Sequence, residues 1–411
     1  TLTVTSSADP GDGVCTPAEC TLREAIALAN SLESIRIAFN IPGSGPHTIR
    51  PLTPLPVPAL PVHTIDGYSQ PGSAPNTLPV TASSVNSTIL IELDGSALGL
   101  GSNGLNLIHG ASVRGLAIHG WRGAGIRIET SAGGRPSRVL GNYIGTRANG
   151  TDASGNGIGI DVIPDAIVAN ATRAWEVGGN GSNSHLRNVI SGNLGDGIRI
   201  QGGASGHTQN NAIEGNLIGI AANGAALGNA GAGLRVLLPS STEAHPTFVA
   251  RNMIGANAGG GFVARSLMPG SAINSSRLNL FTNQIGTANG LRRPNGGFAV
   301  DLGADGNSVS AINFSSGNQV SHTTQPAIRI LGNATRASVV FQQAPENAID
   351  IGPAGPLPND PGDPDSGPND LLNTPELISA QFSDSGERIR IQYQVDAPPG
   401  ERVLVYFYSV G

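Results

Sequence analysis

The chain has 411 residues, including 58 glycines and 29 prolines, and combines a net charge of −6 with 13% charged and 38% apolar residues. This composition excludes a disordered polyelectrolyte, which needs high charge and few apolar residues. It also excludes collagen, which needs glycine at every third position, and a transmembrane helix, because no apolar run reaches about 20 residues. The sequence therefore predicts a folded chain in which many backbone corners require glycine.

The basic residues are all arginine, which excludes catalysis through a lysine side chain. A net charge of −6 without a basic run argues against a nucleic-acid partner, because binding to phosphates relies on clustered positive charge. Cys15 and Cys20 are the two cysteines of the chain. An isolated pair of this kind favours one small disulfide in an oxidising, extracellular compartment.

The first predicted element is a helix within the segment Thr21–Asn30. Thr21 and Glu24 have the spacing of a capping box, and the apolar residues that follow lie on one helical face. Because a terminal helix can cover the open end of a solenoid, residues 1–50 are predicted to form an N-terminal cap.

Residues 51–352 contain a repeat of two short alternating strands, joined by turns rich in glycine and asparagine. A Gly-Ile-x-Ile-like segment begins at residues Gly125, Gly159, Gly197, Gly233, Gly261, Gly297, Ala327 and Ala348. An Asn-x-Ile-like segment alternates with it and begins at Asn142, Asn188, Asn216, Asn252, Asn283 and Asn318. With no amphipathic helix between the strands, the pattern predicts an all-β fold, a right-handed parallel β-helix. The repeated asparagines are predicted to stack and to satisfy backbone groups at one corner.

Three copies of one loop, residues 143–156, 218–229 and 284–295, are predicted to project from one face of this solenoid. Residues 353–375, rich in Asp, Pro and Gly, are predicted to form a linker. In the C-terminal β module, residues 376–411, the segments Arg388–Val395 and Arg402–Tyr408 alternate strictly around a Pro-Pro-Gly turn. This pattern predicts a hairpin or a partial β-sandwich, either a very small unit or a truncated one.

The segment Asp12–Ile26, with the sequence Asp-Gly-Val-Cys-Thr-Pro-Ala-Glu-Cys-Thr-Leu-Arg-Glu-Ala-Ile, resembles the N-terminal motif of bacterial CSLREA-domain proteins, with Thr21 in place of serine. The resemblance continues through residues 64–72, the Asn-x-Ile-Gly-Thr loops, and residues 348–352, 359–369 and 375–377. It implies a right-handed β-helix, a disulfide between Cys15 and Cys20, and a secreted or cell-surface protein of a bacterium. It implies no particular reaction.

One candidate site is a column of solvent-facing residues, the third of each Gly-Ile-x-Ile segment. The predicted column comprises Arg127, Asp161, Arg199, Arg235, Val263, Ala299, Arg329 and Asp350. Arg199 beside Arg235 is mildly unfavourable unless an anion or a neighbouring carboxylate lies across the two guanidinium groups. Two interpretations remain open for the four residues Arg127, Asp161, Arg199 and Arg235. They form either a docking strip for sugar acids or a surface charge ladder that contributes little to stability.

A second candidate site is a cluster of carboxylate and amide side chains in the linker. Its members are Asn359, Asp360, Asp363, Asp365, Asn369 and Asp370. Oxygen ligands at this density suit Ca²⁺, although their spacing differs from that of an EF-hand. A calcium site and a structural linker both remain open at this point.

These observations predict a secreted or cell-surface structural or adhesive protein, with extracellular polysaccharide or a second copy of the chain as partner. The alternative is a polysaccharide lyase or glycoside hydrolase on the same scaffold, acting without a lysine. No catalytic residue is assigned, because the sequence contains neither an Asp-Asp pair nor a Gly-x-Ser-x-Gly elbow.

Overall fold

The computed structural model describes residues 1–58, 63–108, 110–130, 136–164, 175–179, 183–201, 211–238, 247–266, 272–273, 278–303, 308–309, 312–321, 327–331, 338–343, 349–351, 358–362, 364, 373–383, 388–397 and 400. Parallel strands stack coil upon coil along the chain, which confirms the predicted parallel β-helix. We number its three sheets in the order in which a coil meets them. No described helix is long and apolar enough to span a membrane.

The described strands of each sheet follow one another in parallel register. Sheet 1 contains Leu2–Val4, Arg36–Phe39, Thr64–Asp66, Ser112–Arg114, Ser137–Leu140, Trp175–Gly178, Asn211–Glu214, Thr247–Ala250, Leu278–Phe281, Ile312–Val320 and Ser338–Gln343. Sheet 2 contains His47–Ile49, Ile91–Asp94, Ala117–His119, Tyr143–Ile144, Val189–Ile190, Leu217–Ile218, Met253–Ile254 and Gln284–Ile285, and it pairs with the end of Ile312–Val320. Sheet 3 contains Leu105–Leu107, Ala124–Thr130, Ile158–Pro164, Ile198–Gln201, Leu234–Leu238, Phe262–Ser266, Val300–Leu302, Ile328–Ile330 and Ile349–Ile351.

Shorter elements lie outside these sheets. The 3-10 turns are Gly67–Ser69 and Ser184–Leu186. Ala272–Ile273 pairs in parallel with Ser308–Val309, and Thr287–Ala288 pairs antiparallel with Leu291–Arg292 inside the third of the predicted loop copies. The other two copies contain the corresponding antiparallel bridges Thr146–Ala153 and Ile220–Ala226.

A single apolar core runs along the inside of the solenoid. Ile126, Ile160, Ile198 and Leu234 occupy successive coils of sheet 3 in register, and each is fully buried. Because parallel strands are only about 4.8 Å apart, each of these side chains packs directly on the next. Burial of this continuous column is the main driving force for coiling.

The corner between sheets 1 and 2 is built by the predicted asparagine stack. Asn216 donates from Nδ2 to the carbonyl oxygen of Val177 and to Oδ1 of Asn252, both at 3.0 Å, and its Oδ1 accepts from Nδ2 of Asn188 at 2.9 Å. The same hydrogen bonds link Asn142, Asn188, Asn216, Asn252, Asn283 and Asn318. All six asparagines are fully buried. Their side chains supply hydrogen-bond partners to backbone groups at this tight corner.

A second asparagine ladder, not predicted from the sequence, forms the corner between sheets 2 and 3. Its members are Asn156, Asn193, Asn229, Asn257 and Asn295. It explains the glycine at one register position of sheet 3, occupied by Gly159, Gly197, Gly233 and Gly261 in successive coils. A Cβ at Gly159 would lie 2.4 Å from the carbonyl oxygen of Gly197 and 2.9 Å from Nδ2 of Asn193. Glycine is therefore required there for close approach of two backbones rather than for a positive φ.

The N-terminal helix spans Leu22–Ala29 and begins at a complete capping box formed by Thr21 and Glu24, as predicted. The predicted disulfide joins Cys15 to Cys20. Leu22, Ile26 and Ala29 are buried in the main core. The strands Leu2–Val4, Arg36–Phe39 and His47–Ile49 already pair within sheets 1 and 2, so solenoid pairing begins before the predicted boundary at residue 51.

The C-terminal module contains an antiparallel hairpin of Glu376–Phe382 and Ile389–Gln394. The partner of the predicted strand at 388–395 is thus the preceding segment, which sequence patterning missed; the second predicted strand, Arg402–Tyr408, lies outside the described residues. Leu377, Phe382, Ile389 and Tyr393 lie on one exposed face of this hairpin.

Candidate functional site

The outer face of sheet 3 carries a column of mostly charged side chains, interrupted by the buried Val263. Strand register places Arg127 beside Asp161, Asp161 beside Arg199, and Arg199 beside Arg235, as predicted. The column continues from Arg235 through Val263, Asp301, Arg329 and Asp350. We call this column the charged ladder.

The predicted place of Ala299 in the charged ladder is wrong. Val263 pairs with Asp301, and Ala299 is fully buried. The apolar residues of Phe298–Leu302 allow two registers that differ by two residues, and both satisfy a period of two. The sequence Val-Asp-Leu, which matches the Ile-Asp-Val of the Asp161 coil, was the available signal for the correct register.

Asp161 is the best-satisfied carboxylate of the charged ladder. Its two oxygens accept hydrogen bonds from Nε and Nη2 of Arg199 at 2.9 and 3.0 Å, in a bidentate pair. Nε2 of Gln201 adds contacts of 3.0 and 3.2 Å to the same oxygens. Both carboxylate oxygens of Asp161 therefore accept hydrogen bonds from side chains of the next coil, Arg199 and Gln201.

Arg235 does not share the carboxylate of Arg199. Its Nε donates to Oδ2 of Asp196 at 2.8 Å, while Oδ1 of Asp196 accepts the backbone N–H of Ala232 at 2.7 Å. Asp196 lies in the turn before the Arg199 strand and was missed because it is outside the strand repeat. This neighbouring carboxylate relieves the repulsion between Arg199 and Arg235 without a bound anion.

Asp301 links two further arginines. Nε and Nη2 of Arg329 donate to its two oxygens at 3.0 and 2.7 Å, and Nη2 of Arg265 donates to Oδ2. The guanidinium carbon of Arg329 lies 4.0 Å from the ring centroid of Phe298, a cation–π contact. At the other end of the ladder, Arg127 pairs with Glu129 on its own strand at 2.7 Å.

The arginines and carboxylates of the charged ladder differ in exposure. The side chains of Arg199 and Arg235 are each 29% exposed, whereas those of Asp161 and Asp196 are 7% and 11% exposed. The carboxylates thus lie beneath the guanidinium groups. Nε and Nη2 of Arg199 bind Asp161, and Nη1 forms no hydrogen bond with the described residues.

The predicted calcium cluster is only partly within the described chain. Nδ2 of Asn359 donates to the carbonyl oxygen of Thr374 at 2.8 Å, and the backbone N–H of Asp360 donates to Oδ1 of Asn373 at 3.0 Å. Asp363, Asp365, Asn369 and Asp370 lie outside the described residues. The calcium site stays a prediction.

A different acidic group lies at the N-terminal cap. One oxygen from each of Asp12, Glu19 and Glu24 lies within 4.8 Å of the others. Glu24 is committed to the capping box and to the backbone N–H of Gly13, and these hydrogen bonds lower its pKa although burial acts to raise it. The group therefore has a structural role whether or not it also holds a cation.

A buried acidic and histidine network lies on the outer face of sheet 2. The carboxylate of Glu92 accepts from Oγ1 of Thr48 at 2.9 Å and from the backbone N–H of Ala148 at 2.8 Å. The ring of His119, fully buried, approaches Oε2 of Glu92 to 3.9 Å through Nε2 and Oγ of Ser154 to 3.0 Å through Nδ1. Interaction with His119 and these donors lower the pKa of Glu92 to about 2, although burial acts to raise it.

Two contacts of this network, Ala148 and Ser154, belong to the first of the three loop copies, residues 143–156. The network therefore holds that loop against sheet 2. It was not predicted, because its residues are separated by up to 106 positions between Thr48 and Ser154 and follow no repeat.

A buried arginine holds a long segment, residues 71–90, against the outside of sheets 1 and 2; we call this segment the strap. Arg187 is fully buried and donates to the carbonyl oxygens of Gly215 at 2.8 Å, Ala82 at 2.7 Å and Pro79 at 3.2 Å. Burial lowers its pKa to about 10. Backbone carbonyls, rather than a carboxylate, thus solvate this cation.

The chain matches no protein-family model and no curated protein.

Proposed function

We propose that the chain belongs to an extracellular or cell-surface structural protein of a bacterium, and that the charged ladder of sheet 3 is its adhesive face for polysaccharide. The observation that carries this proposal is the partly exposed set of arginines Arg199, Arg235 and Arg329, each fixed over a nearly buried carboxylate. A guanidinium held in this way loses little conformational entropy when a ligand binds, so its free N–H groups bind more favourably. The disulfide of the cap and the likeness of residues 12–26 to CSLREA-domain proteins support the extracellular setting.

The repeat distance of the solenoid suits an extended ligand. Successive coils present one residue of the charged ladder every 4.8 Å or so along a straight line. Carboxylate and hydroxyl groups of a linear polysaccharide can therefore meet several arginines at once, and weak contacts add up through multivalency. Sugar acids fit this face best, because arginine forms bidentate hydrogen bonds with carboxylates.

Adhesion accounts for the described geometry better than catalysis does. A glycosidase or lyase needs a carboxyl or other acid–base group within reach of the substrate. Asp161, Asp196 and Asp301 are instead covered by arginines and have both oxygens occupied. A polysaccharide-active enzyme remains the alternative proposal.

Binding to immobilised polygalacturonate, alginate and neutral dextran tests the proposal, with the double variant Arg199→Ala/Arg235→Ala and with Arg138→Ala as control. Arg138 is paired on sheet 1 and is 49% exposed, so it matches the chemistry but not the face. We expect the double variant to lose at least tenfold in affinity for the acidic polymers and the control to lose less than twofold. Unchanged binding to every acidic polymer would contradict the proposal.

The same mixtures discriminate adhesion from catalysis. After long incubation, an enzyme releases reducing ends or unsaturated sugar ends, whereas an adhesive protein leaves the polymer intact. Addition of Ca²⁺ or a chelator tests the predicted linker site, because a bound calcium ion raises the thermal unfolding midpoint. Light scattering of the free chain tests self-association.

A further inference from the structure

The outer face of sheet 2 carries a buried apolar column against which the strap packs. The outward residues Tyr143, Val189, Leu217 and Met253 follow one another in register. Val85 and Ile89 of the strap pack on this column in a hydrophobic cluster separate from the main core. In the next coil the outward residue is Gln284, so the column turns polar at Met253.

A cleft of about 230 Å³ opens where the apolar column ends. Val80 and Thr81 of the strap line one side, Arg251, Thr282 and Gln284 line the other, and Met253 forms the back. At about 30 Å³ per water molecule, this volume holds roughly seven waters. It suits one small ring-shaped ligand rather than a chain.

Two residues of the cleft adopt a backbone conformation that favours glycine. Arg251 and Thr282 have φ values of 56° and 55°, immediately before ladder asparagines. The corresponding residues of other coils are Gly141, Gly215 and Gly317, with φ values of 65°, 69° and 87°. Side chains at such positions are strained, so their occurrence in two successive coils at one cleft indicates a role for the side chains themselves.

The charge of the cleft is already balanced. Nη2 of Arg251 donates to Oε2 of Glu214 at 2.7 Å, and its guanidinium carbon lies 5.8 Å from the ring centroid of Phe281. Nε of Arg251 is buried and forms no hydrogen bond with the described residues. The cation is thus held in place by Glu214, and the cleft, unlike the charged ladder, is lined by a single arginine. The neutral donors and acceptors around it therefore decide which ligand fits.

The remaining polar groups suit hydroxyl groups. Oε1 of Gln284 accepts the backbone N–H of Asn289, which orients its amide and leaves Nε2 as a donor. The hydroxyl of Thr282 donates to the carbonyl oxygen of Phe281 at 2.7 Å and retains its acceptor lone pairs. Together with Thr81, they surround the apolar side chains of Met253 and Val80. Polar donors and acceptors around an apolar wall complement a sugar ring.

We propose that this cleft binds a single neutral sugar residue, such as the terminal or branch residue of a glycan. The site lies at the corner between sheets 1 and 2, so it is separate from the charged ladder and independent of the function proposed for sheet 3. Binding is carried by Thr282, Gln284 and Arg251, with Met253 beneath the ring.

Saturation-transfer NMR with methyl glycosides of glucose, galactose, mannose and galacturonic acid tests this site. We expect at least one neutral glycoside to bind, and the variant Gln284→Trp, which fills the cleft, to weaken that binding at least tenfold. Gln319→Trp is the matched control, because Gln319 is the register partner of Gln284 in the next coil and does not line the cleft. Arg199→Ala/Arg235→Ala separates this site from the charged ladder and should leave binding unchanged.

Thr282→Gly gives a second readout that a purely structural role does not predict. Glycine removes the strain, so the thermal midpoint should rise, while loss of the hydroxyl should weaken glycoside binding at least threefold. The proposal is overturned if no neutral glycoside binds, if only the galacturonate binds, or if Gln319→Trp abolishes binding as fully as Gln284→Trp. A higher midpoint with unchanged binding in Thr282→Gly would also overturn it.

Discussion

The buried asparagine ladder between sheets 1 and 2 and the charged ladder of sheet 3 share one geometry but differ in environment. Each places polar residues of successive coils in register, although Val263 interrupts the charged ladder. Asn216 is fully buried, whereas the Arg199 side chain is 29% exposed. Because an unsatisfied polar group is far more costly when buried than in contact with water, stability depends on the first ladder and leaves the second available for binding.

Replacement of Asn216 by alanine tests the buried ladder and should have the largest effect. The variant removes one buried hydrogen bond from the carbonyl oxygen of Val177 and one from each of the side chains of Asn188 and Asn252. With about 1–3 kcal/mol for each buried group that loses a partner, we expect a loss of about 4 kcal/mol in the free energy of unfolding. Urea denaturation followed by circular dichroism measures this change.

The matched control is Asn223→Ala, because Asn223 is exposed and its Oδ1 accepts only the backbone N–H of Ala225, at 3.0 Å, among the described residues. We expect this variant to lose less than about 1 kcal/mol. Equal losses in the two variants would show that burial does not separate the two kinds of asparagine.

The variant Arg187→Met tests whether a buried cation can stabilise the fold without a carboxylate partner. Methionine has a similar length but removes the side-chain donor to the carbonyl oxygens of Ala82 and Gly215, whereas the carbonyl oxygen of Pro79 keeps the backbone N–H of Ala82. We expect a loss of about 3 kcal/mol and rapid proteolysis within the strap. Arg50→Met, at a side chain that is 57% exposed, is the control and should leave the strap resistant to protease.

A stable, protease-resistant Arg187→Met variant would mean that the apolar contacts of Val85 and Ile89 hold the strap by themselves. In that case the arginine would be a tolerated buried charge rather than the clamp of the strap.

Glu92 provides a test by pH. Its folded-state pKa of about 2 lies below the ordinary value of 4.5, so protonation favours the unfolded chain. The stabilisation is present above pH 4.5 and is lost as the pH falls through 2, a loss of about 3 kcal/mol. Glu92→Gln should flatten the dependence of the urea midpoint on pH in this window.

Glu129→Gln, the same substitution at a side chain that is 39% exposed, is the control for this pH test. If Glu92→Gln retains the full pH dependence of the original chain, other carboxylates must account for the acid sensitivity, and the network around His119 would not be its source.

The sequence predicts the solenoid because coiling imposes a period on every coil. Glycine near the start of the sheet 3 strands, replaced by alanine at residues 299 and 327, and asparagine at the first corner recur in a fixed order, since each satisfies the same backbone requirement in successive coils. The second asparagine ladder obeys the same rule, but residues such as Asn193 and Asn257 lie in turns of variable length, where the strand repeat gives no alignment.

Contacts made once in the fold are not predictable in this way. Asp196 reaches Arg235 from a turn, and Arg187 contacts a strap more than 100 residues earlier in the chain. Neither pair follows a periodic pattern. The position of Asp301 in the charged ladder fails for another reason, because alternation alone does not distinguish registers that differ by two residues.

Arg199→Gln is the smallest expected effect and the sharpest test of the charged ladder. Glutamine keeps a hydrogen-bond donor beside Asp161 but removes the charge and the bidentate pair. Gln201 still donates to both oxygens of Asp161, so the carboxylate is not left without a partner, and we expect a stability loss of about 0.5–1 kcal/mol. The midpoint difference should shrink in 1 M salt, since screening weakens partly exposed ion pairs. A stability loss above about 2 kcal/mol that salt does not change would contradict this expectation. It would mean that Asp161 and Arg199 hold the coils together, as the buried asparagines do, and do not form a surface available for binding.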